Sequence, residues 1–245
     1  MSRQSTSALE ENIVHVRLFG ALELSNRRGT AGENRARQSL SWLLLKYLLA
    51  NPGREVGSDE LEEKLWPASS GEGNVAERVR LRRLREALAP LGLDGRDGLV
   101  LYSRGKYILN PDFELLSDED ELLRLLARIR MGGSETLSLC TQALELLRGE
   151  YLEYTDAAPW LERHREYYRR ESAWLCGEAL RLCVEGQKTA PLGLICRRAC
   201  SLAPGEEALH RTIIGYLIQN KMEIELLRHI SHLSRSGRAP WLDME

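Results

Sequence analysis

Five arginines fall within residues 78–85, and no acidic residue lies among them. They are Arg78, Arg80, Arg82, Arg83 and Arg85. Such a cluster is typical of a surface that binds a polyanion, because each guanidinium stays charged and donates several N–H groups to phosphate oxygens. A helix face that only contacts water can have the same composition, so the surrounding elements must distinguish the two interpretations.

The cysteines offer a second kind of chemistry. Cys176 and Cys183 lie on one predicted helix, and Cys196 and Cys200 lie one turn apart on the next. Two antiparallel helices can bring four thiolates together around zinc or an iron–sulfur cluster. This spacing matches no compact metal-binding signature, and free cysteine is common in protein cores. We therefore expect no metal and no other cofactor.

The remaining residues indicate no catalytic site. His210, His229 and His232 have no cysteine or carboxylate partner at a defined spacing, which favours ordinary core or surface positions. The sequence contains no nucleophile elbow, Walker loop, dinucleotide-binding turn or HExxH motif. The polar N-terminus has no signal-peptide pattern, and no apolar run is long enough to predict a membrane span. We therefore predict a cytoplasmic protein that is not an enzyme.

Charge is distributed unevenly along the chain, whose formal net charge is −2. Residues 1–106 contain 17 lysines and arginines against 14 acidic residues, whereas residues 107–245 contain 17 against 22. A basic first half suits contact with nucleic acid, but the excess is small. The local arginine cluster is therefore more informative than the total charge.

The elements around the arginine cluster follow the order of a winged helix. Apolar alternation predicts strands over 13–20 and 21–24, followed by a turn over 26–32. Helical periodicity predicts helices over 35–50, 58–66 and 74–89, with Ser58 as an N-cap. Residues 99–110 are predicted to form a hairpin whose tip is Arg104-Gly105-Lys106.

On the third predicted helix, arginines and core residues occupy opposite faces. Leu81, Leu84 and Leu88 fall within about 60° of one another at 100° per residue, so they form an apolar seam. The opposite sector holds Val75, Arg78, Val79, Arg82 and Arg83. Such a helix, followed by a basic hairpin, is typical of a recognition helix that enters the major groove while the hairpin contacts the backbone or minor groove.

From residue 117 onward the strand signals end. Helices are predicted near 117–130, 134–148, 160–185, 189–202, 205–220 and 222–235. Helix pairs joined by tight turns predict a helical repeat array, and the restart over 203–209 is similar to tetratricopeptide repeats. We expect a mainly α fold with a small β component. The predicted divisions are a disordered tail over 1–12, a winged helix over 13–112, helical repeats over 117–236 and a tail over 237–245.

Residues 59–66 (DELEEKLW) resemble the second helix of the DNA-binding domain in the SARP family of bacterial transcriptional activators. Arg83-Leu84-Arg85 and the run Ser103-Arg104-Gly105-Lys106-Tyr107 resemble the third helix and the wing of an OmpR-type winged helix. Residues 143–149 (ALELLRG) and 159–162 (PWLE) resemble the start of the bacterial transcriptional activator domain. The order of these parts is similar to that family over about residues 13–235.

This resemblance implies a sequence-specific regulator that recruits RNA polymerase to promoters with directly repeated sites, as a homodimer or as tandem copies. The residues then expected to contact double-stranded DNA are Asn74, Val75, Arg78, Val79, Arg82, Arg83, Arg85, Arg104 and Lys106. The alternative is a protein-interaction adaptor that uses the helical repeats, with a degenerate winged helix as a docking module. Glu77, within the predicted apolar seam, and the near-neutral net charge favour this alternative.

The loop before the third helix yields a prediction that separates DNA binding from activation. In OmpR-type winged helices the corresponding loop faces RNA polymerase, so Ser69, Ser70 and Glu72 are expected to contact polymerase. Replacing all three with alanine should change promoter affinity by less than about threefold, because exposed loop substitutions rarely exceed about 0.5 kcal/mol. Transcription in a purified system should fall much more. Equal losses would place the loop on DNA, and no loss would move polymerase recruitment elsewhere.

Overall fold

The computed structural model describes residues 12–33, 40–66, 73–156 and 158–236, except for the side chains of residues 73–77. The predicted polymerase-contact residues Ser69, Ser70 and Glu72 lie outside the described residues, as does the predicted tail over 237–245. The chain divides into two compact units. Unit 1 comprises Met1–Asp118 with Leu152–Trp160, and unit 2 comprises Glu119–Tyr151 with Leu161–Glu245.

The order of the elements confirms the predicted mainly α fold with a small β component. The strands are β1 (Ile13–Arg17), β2 (Glu23–Asn26), β3 (Gly29–Gly32), β4 (Val56–Gly57), β5 (Val100–Ser103), β6 (Lys106–Leu109) and β7 (Glu114–Ser117). The helices are α1 (Leu40–Leu49), α2 (Ser58–Leu65), α3 (Gly73–Leu88), α4 (Asp118–Met131), α5 (Thr136–Leu146), α6 (Pro159–Gly186), α7 (Leu192–Leu202), α8 (Glu207–Gln219) and α9 (Glu223–Ser236).

Two small sheets frame the helices of unit 1. The four-stranded sheet has the order β3-β2-β1-β7, in which β1 is antiparallel to β2 and parallel to β7. The three-stranded sheet has the order β4-β6-β5, and β5 and β6 form the predicted hairpin. Val14 and Val16 of β1 are buried on either side of an exposed residue, which is the alternation that predicted this strand.

Strands β3 and β7 lie where the sequence predicts a turn and a domain boundary. Strand β3 has one buried apolar side chain, Ala31, so it carries no alternation that a sequence pattern could reveal. Its Gly32 is required by close packing, since a Cβ atom there would lie 2.8 Å from the carbonyl oxygen of Leu22. Strand β7 exists because it pairs with the distant strand β1, a contact that local sequence does not encode.

The apolar seam of α3 is confirmed. Leu81, Leu84 and Leu88 are all buried, and α3 packs against α1. Helix α1 is apolar around most of its circumference, so it forms the centre of the helical layer. Because α3 packs its leucine seam against α1, the opposite side of α3 remains exposed.

The segment Leu152–Trp160, here called the return segment, belongs to unit 1 although it follows α5 of unit 2. The backbone N–H of Leu152 donates to the carbonyl oxygen of Leu18, at 2.8 Å. The Asp118 carboxylate accepts hydrogen bonds from the backbone N–H groups of Leu18, at 2.7 Å, and Phe19, at 3.4 Å. The end of β1 is therefore held from two distant parts of the chain, and a single boundary near 112–117 does not describe this arrangement.

The buried Lys46 of α1 forms an ion pair with the residue after β3 and a hydrogen bond with the return segment. The side chains of Lys46 and Glu33 are each only 2% exposed and form a salt bridge. Lys46 Nζ also donates a hydrogen bond to the carbonyl oxygen of Tyr154, at 2.9 Å. Trp160 then packs edge-on against Tyr47 of α1, with ring centroids 5.1 Å apart. The lysine that interrupts the apolar run of α1 thus has two partners in other segments.

Unit 2 is built from helices that pack through apolar side chains. Helix α7 packs against α5, α8 and α9. The Glu119 carboxylate accepts hydrogen bonds from Tyr151, at 3.1 Å, and Tyr168, and burial raises its pKa above the usual carboxyl range.

Within the described part of the chain, no helix combines the length and apolar character needed to cross a membrane.

Replacing Lys46 with methionine should destabilise unit 1 by about 3–5 kcal/mol, because Glu33 would remain buried without its cation. Adding Glu33→Gln should recover a large part of this loss by removing the unpaired charge. Lys64→Met is the matched control, since Lys64 forms an exposed pair with Glu63 that contributes little. Urea unfolding measures the free energy of unfolding of all three variants. If the Lys46 variant were as stable as the Lys64 variant, Lys46 and Glu33 would not form a buried ion pair.

Candidate nucleic-acid interface

Helix α3 presents an exposed arginine face. Arg78, Arg82 and Arg83 are exposed, and Val79 between them is half-buried. The leucine seam lies on the opposite side, as the helical periodicity predicted. The side chains of Asn74, Val75 and Glu77 fall outside the described residues, so their predicted positions remain predictions.

The charges on this face are accessible to a polyanion. Arg82 Nε lies 3.7 Å from Glu86 Oε1, and both side chains are more than 60% exposed. Exposed pairs of this kind contribute little and are screened by salt, so a phosphate can compete with Glu86 for the guanidinium. Within the described residues, Arg78 and Arg83 form no ion pair.

The other two arginines of the cluster face the protein. Arg80 is buried, and its guanidinium lies 4.2 Å from the ring centroid of Trp66, at the end of α2. Arg85 is half-buried, and its Nη2 donates a hydrogen bond to the carbonyl oxygen of Val100 in β5, at 3.2 Å. Arg85 is among the predicted DNA contacts, but the structure gives it an intramolecular partner that links α3 to the hairpin.

The hairpin of β5 and β6 forms a wing with a two-residue tip. Ser103 pairs with Lys106, and the intervening Arg104 and Gly105 have φ values of 51° and 78°. Two successive residues with positive φ match the twist of a tight hairpin turn, and glycine is favoured at the second of them. The turn therefore places the Arg104 side chain, which is exposed, at the tip of the wing.

The tip of the wing is fastened to the start of α2. The carbonyl oxygen of Gly105 accepts hydrogen bonds from the backbone N–H of Ser58, at 3.0 Å, and from its hydroxyl, at 3.2 Å. The predicted N-cap is therefore displaced by one residue, because Gly57 occupies the cap position and the Ser58 hydroxyl serves the wing. Lys106 Nζ lies 2.6 Å from Glu55 Oε2 in an exposed ion pair.

Helices α1 and α2 are joined by a polar contact. Tyr47 donates a hydrogen bond from its hydroxyl to Glu60, at 2.5 Å, and Arg54 pairs with the other oxygen of the same carboxylate. Burial, reinforced by the neighbouring carboxylate, raises the pKa of Tyr47, so the phenol keeps its proton and remains a donor. The arginine face thus rests on helices held by both apolar and polar contacts.

The cysteines are free and buried, as expected for core residues. Among the described residues, the side chains of metal-ligating type that converge are Cys200, His210 and His229, instead of four cysteines. Burial lowers the pKa of His229 to about 4 and raises the pKa of Cys200 to about 12, so both groups are neutral at pH 7. No local sequence pattern could reveal this cluster, because its members lie on three different helices.

The two classes of arginine should respond differently to truncation. Arg85→Ala should lower the free energy of unfolding by about 1.5 kcal/mol, because it removes a hydrogen bond from a charged donor to the Val100 carbonyl. Arg83→Ala should change it by less than about 0.5 kcal/mol, because the side chain is exposed. Denaturant unfolding of both variants measures the difference. Equal stabilities would mean that Arg85 does not support the wing.

Comparisons with known proteins bear on the fold. No protein-family model matches the sequence, and no curated protein matches it. Among solved structures, the chain is similar to EmbR from Mycobacterium tuberculosis in complex with a low-affinity phosphopeptide, with a TM-score of 0.62 and 14% sequence identity. The similarity covers 91% of this chain, which spans 59% of the length of EmbR. The predicted mainly α fold with a small β component is therefore confirmed for this chain.

Proposed function

We propose that this chain is a sequence-specific DNA-binding transcriptional regulator. The observation that carries the proposal is the division of α3 into a buried leucine seam and an exposed face with Arg78, Arg82 and Arg83. A helix of this form can lie in the major groove, where arginines reach phosphates and guanine edges. The resemblance of the sequence to SARP activators agrees with this role.

The wing supplies the second contact of the proposed complex. Arg104 lies at the tip of a hairpin and Lys106 lies beside the tip, and the hairpin's position is fixed by Ser58 and by Arg85. A basic wing of this kind contacts the backbone or the minor groove beside the recognition helix. In this proposal Arg85 acts by positioning the wing, and Asn74 and Val75 add contacts near the start of α3.

The proposed outcome of binding is activation. The regulator would bind directly repeated sites in double-stranded DNA as a homodimer or as tandem copies, and recruit RNA polymerase through the loop that contains Ser69, Ser70 and Glu72. This part of the proposal rests on the resemblance to SARP activators. The competing function is an adaptor whose helical repeats bind a protein partner without any contact to DNA.

Substitution of the exposed arginines tests DNA binding. The double variant Arg82→Ala with Arg83→Ala should bind a retarded genomic fragment more weakly. The slope of log K against log salt should also fall by up to about 2, because each phosphate contact releases about one counterion when the complex forms. Electrophoretic retardation over a salt series measures both the affinity and the slope. The probe is a DNA fragment from the genome that encodes this protein, selected for its binding to the wild-type chain.

The matched control removes two exposed arginines from α4 of unit 2. Arg124 and Arg128 form exposed pairs with Glu121 and Glu135, so Arg124→Ala with Arg128→Ala changes the net charge by the same amount. This control should leave the affinity and salt slope at wild-type values. Unchanged binding in the α3 variant would remove α3 as the recognition helix. Wild-type protein that retards no fragment at low salt would favour the adaptor.

A further inference from the structure

Three buried side chains of unit 2 form a continuous chain of contacts across α7, α8 and α9. Cys200 Sγ lies 3.3 Å from His229 Nδ1, and His229 Nε2 lies 3.0 Å from His210 Nδ1. His210 Nε2 in turn lies 3.0 Å from the carbonyl oxygen of Ala203. Both imidazoles are at most 1% exposed, and Cys200 is 8% exposed. These residues lie far from the proposed DNA-binding surface in the sequence, and the proposed function does not use them.

The hydrogen bond to Ala203 determines which nitrogens carry hydrogen. A carbonyl oxygen only accepts, so Nε2 of neutral His210 holds the proton and Nδ1 has the free lone pair. His229 must then donate from Nε2 to His210, which leaves the lone pair of His229 Nδ1 directed at the Cys200 sulfur. Each histidine therefore has a proton on Nε2 and a lone pair on Nδ1, although the lone pair of His210 is engaged by His229. His210 also has the backbone partner for Nε2–H that supports a metal-ligating imidazole.

The donor set and its dimensions fit zinc. One sulfur and two imidazole nitrogens form a ligand set that Zn²⁺ prefers, and the ligand atoms of the three residues lie within 4.8 Å of one another. Zn–S and Zn–N bonds of about 2.3 and 2.0 Å place ligand atoms roughly 3.3–3.6 Å apart in a tetrahedron. The 3.3 Å between Cys200 and His229 Nδ1 already meets this requirement. To reach an ion on His229 Nδ1, His210 must leave its contact with His229 Nε2, because the two ring nitrogens of His229 point in different directions.

A cavity of about 430 Å³ adjoins the cluster and gives access to it. Cys200 and His229 line this cavity, together with Cys196, Glu225 and His232. The cavity can hold a water molecule at the fourth position of a tetrahedral site.

We propose that Cys200, His210 and His229 bind one Zn²⁺ ion, with the fourth position facing this cavity. Binding replaces the thiol S–H bond of Cys200 with a Zn–S bond and releases that proton to solvent. No electron is transferred. The ion joins three consecutive helices of unit 2, so zinc binding stabilises the folded state. The expectation of a chain without metal is replaced by this proposal, because the structure brings together histidines that the sequence leaves scattered.

Cobalt(II) is the probe for the test, because its absorption reports a bound thiolate. The full chain is first dialysed against a chelator, then titrated with Co²⁺ and back-titrated with Zn²⁺. We expect one Co²⁺ per chain, a near-ultraviolet charge-transfer band from one thiolate, and loss of this band when zinc displaces cobalt. Thermal unfolding should shift to higher temperature when zinc is added in excess. The absence of a charge-transfer band in the wild-type chain overturns the proposal.

Substitutions identify the ligands. Cys200→Ser and His229→Gln should each weaken zinc binding by more than about 100-fold, since even the loss of an outer-shell partner weakens it 10–100-fold. Cys140→Ser is the matched control, because Cys140 is also buried but lies on α5, outside the cluster. Circular dichroism checks the fold of each variant. Elemental analysis of the wild-type chain purified without chelator is independent of all variants, and less than about 0.1 zinc per chain after dialysis against Zn²⁺ overturns the proposal.

Discussion

The ammonium group of Lys46 holds together three segments of unit 1 that are distant in the sequence. It lies on α1, pairs with Glu33 just after β3, and donates to the Tyr154 carbonyl in the return segment. A buried charge without such partners would destabilise the fold by several kcal/mol, so these segments must be in place together. Helix α1 is also the surface on which α3 packs. The position of the arginine face therefore depends on this polar contact as well as on the leucine seam.

The five arginines of one short segment have different roles because the helix turns them in different directions. Arg78, Arg82 and Arg83 face solvent, whereas Arg80 lies over Trp66 and Arg85 reaches the backbone of β5. The inward pair connects α3 to α2 and to the wing. The outward group keeps its charges available for phosphates. Residue type alone indicates a polyanion partner, but only packing separates the arginines that face solvent from those that contact the protein.

The features predicted from the sequence are those that local periodicity encodes. The seam of Leu81, Leu84 and Leu88 and the order of the helices follow from a 3.6-residue repeat, because burial on one side selects that repeat. Strand β7, the return segment and the contact between His210 and His229 depend on partners far away in the chain. Strand β3 is short and rich in glycine, so only its pairing with β2 makes it a strand.

Methylation protection on a retarded promoter fragment tests most directly whether α3 lies in the major groove. Dimethyl sulfate modifies guanine at N7, which is exposed in the major groove, and adenine at N3, which is exposed in the minor groove. The arginine face of α3 should protect guanine N7 within each repeated site. Protection should be lost when Arg82 and Arg83 are both replaced by alanine, and retained when Arg124 and Arg128 are replaced. Binding without any guanine N7 protection would contradict a recognition helix in the major groove.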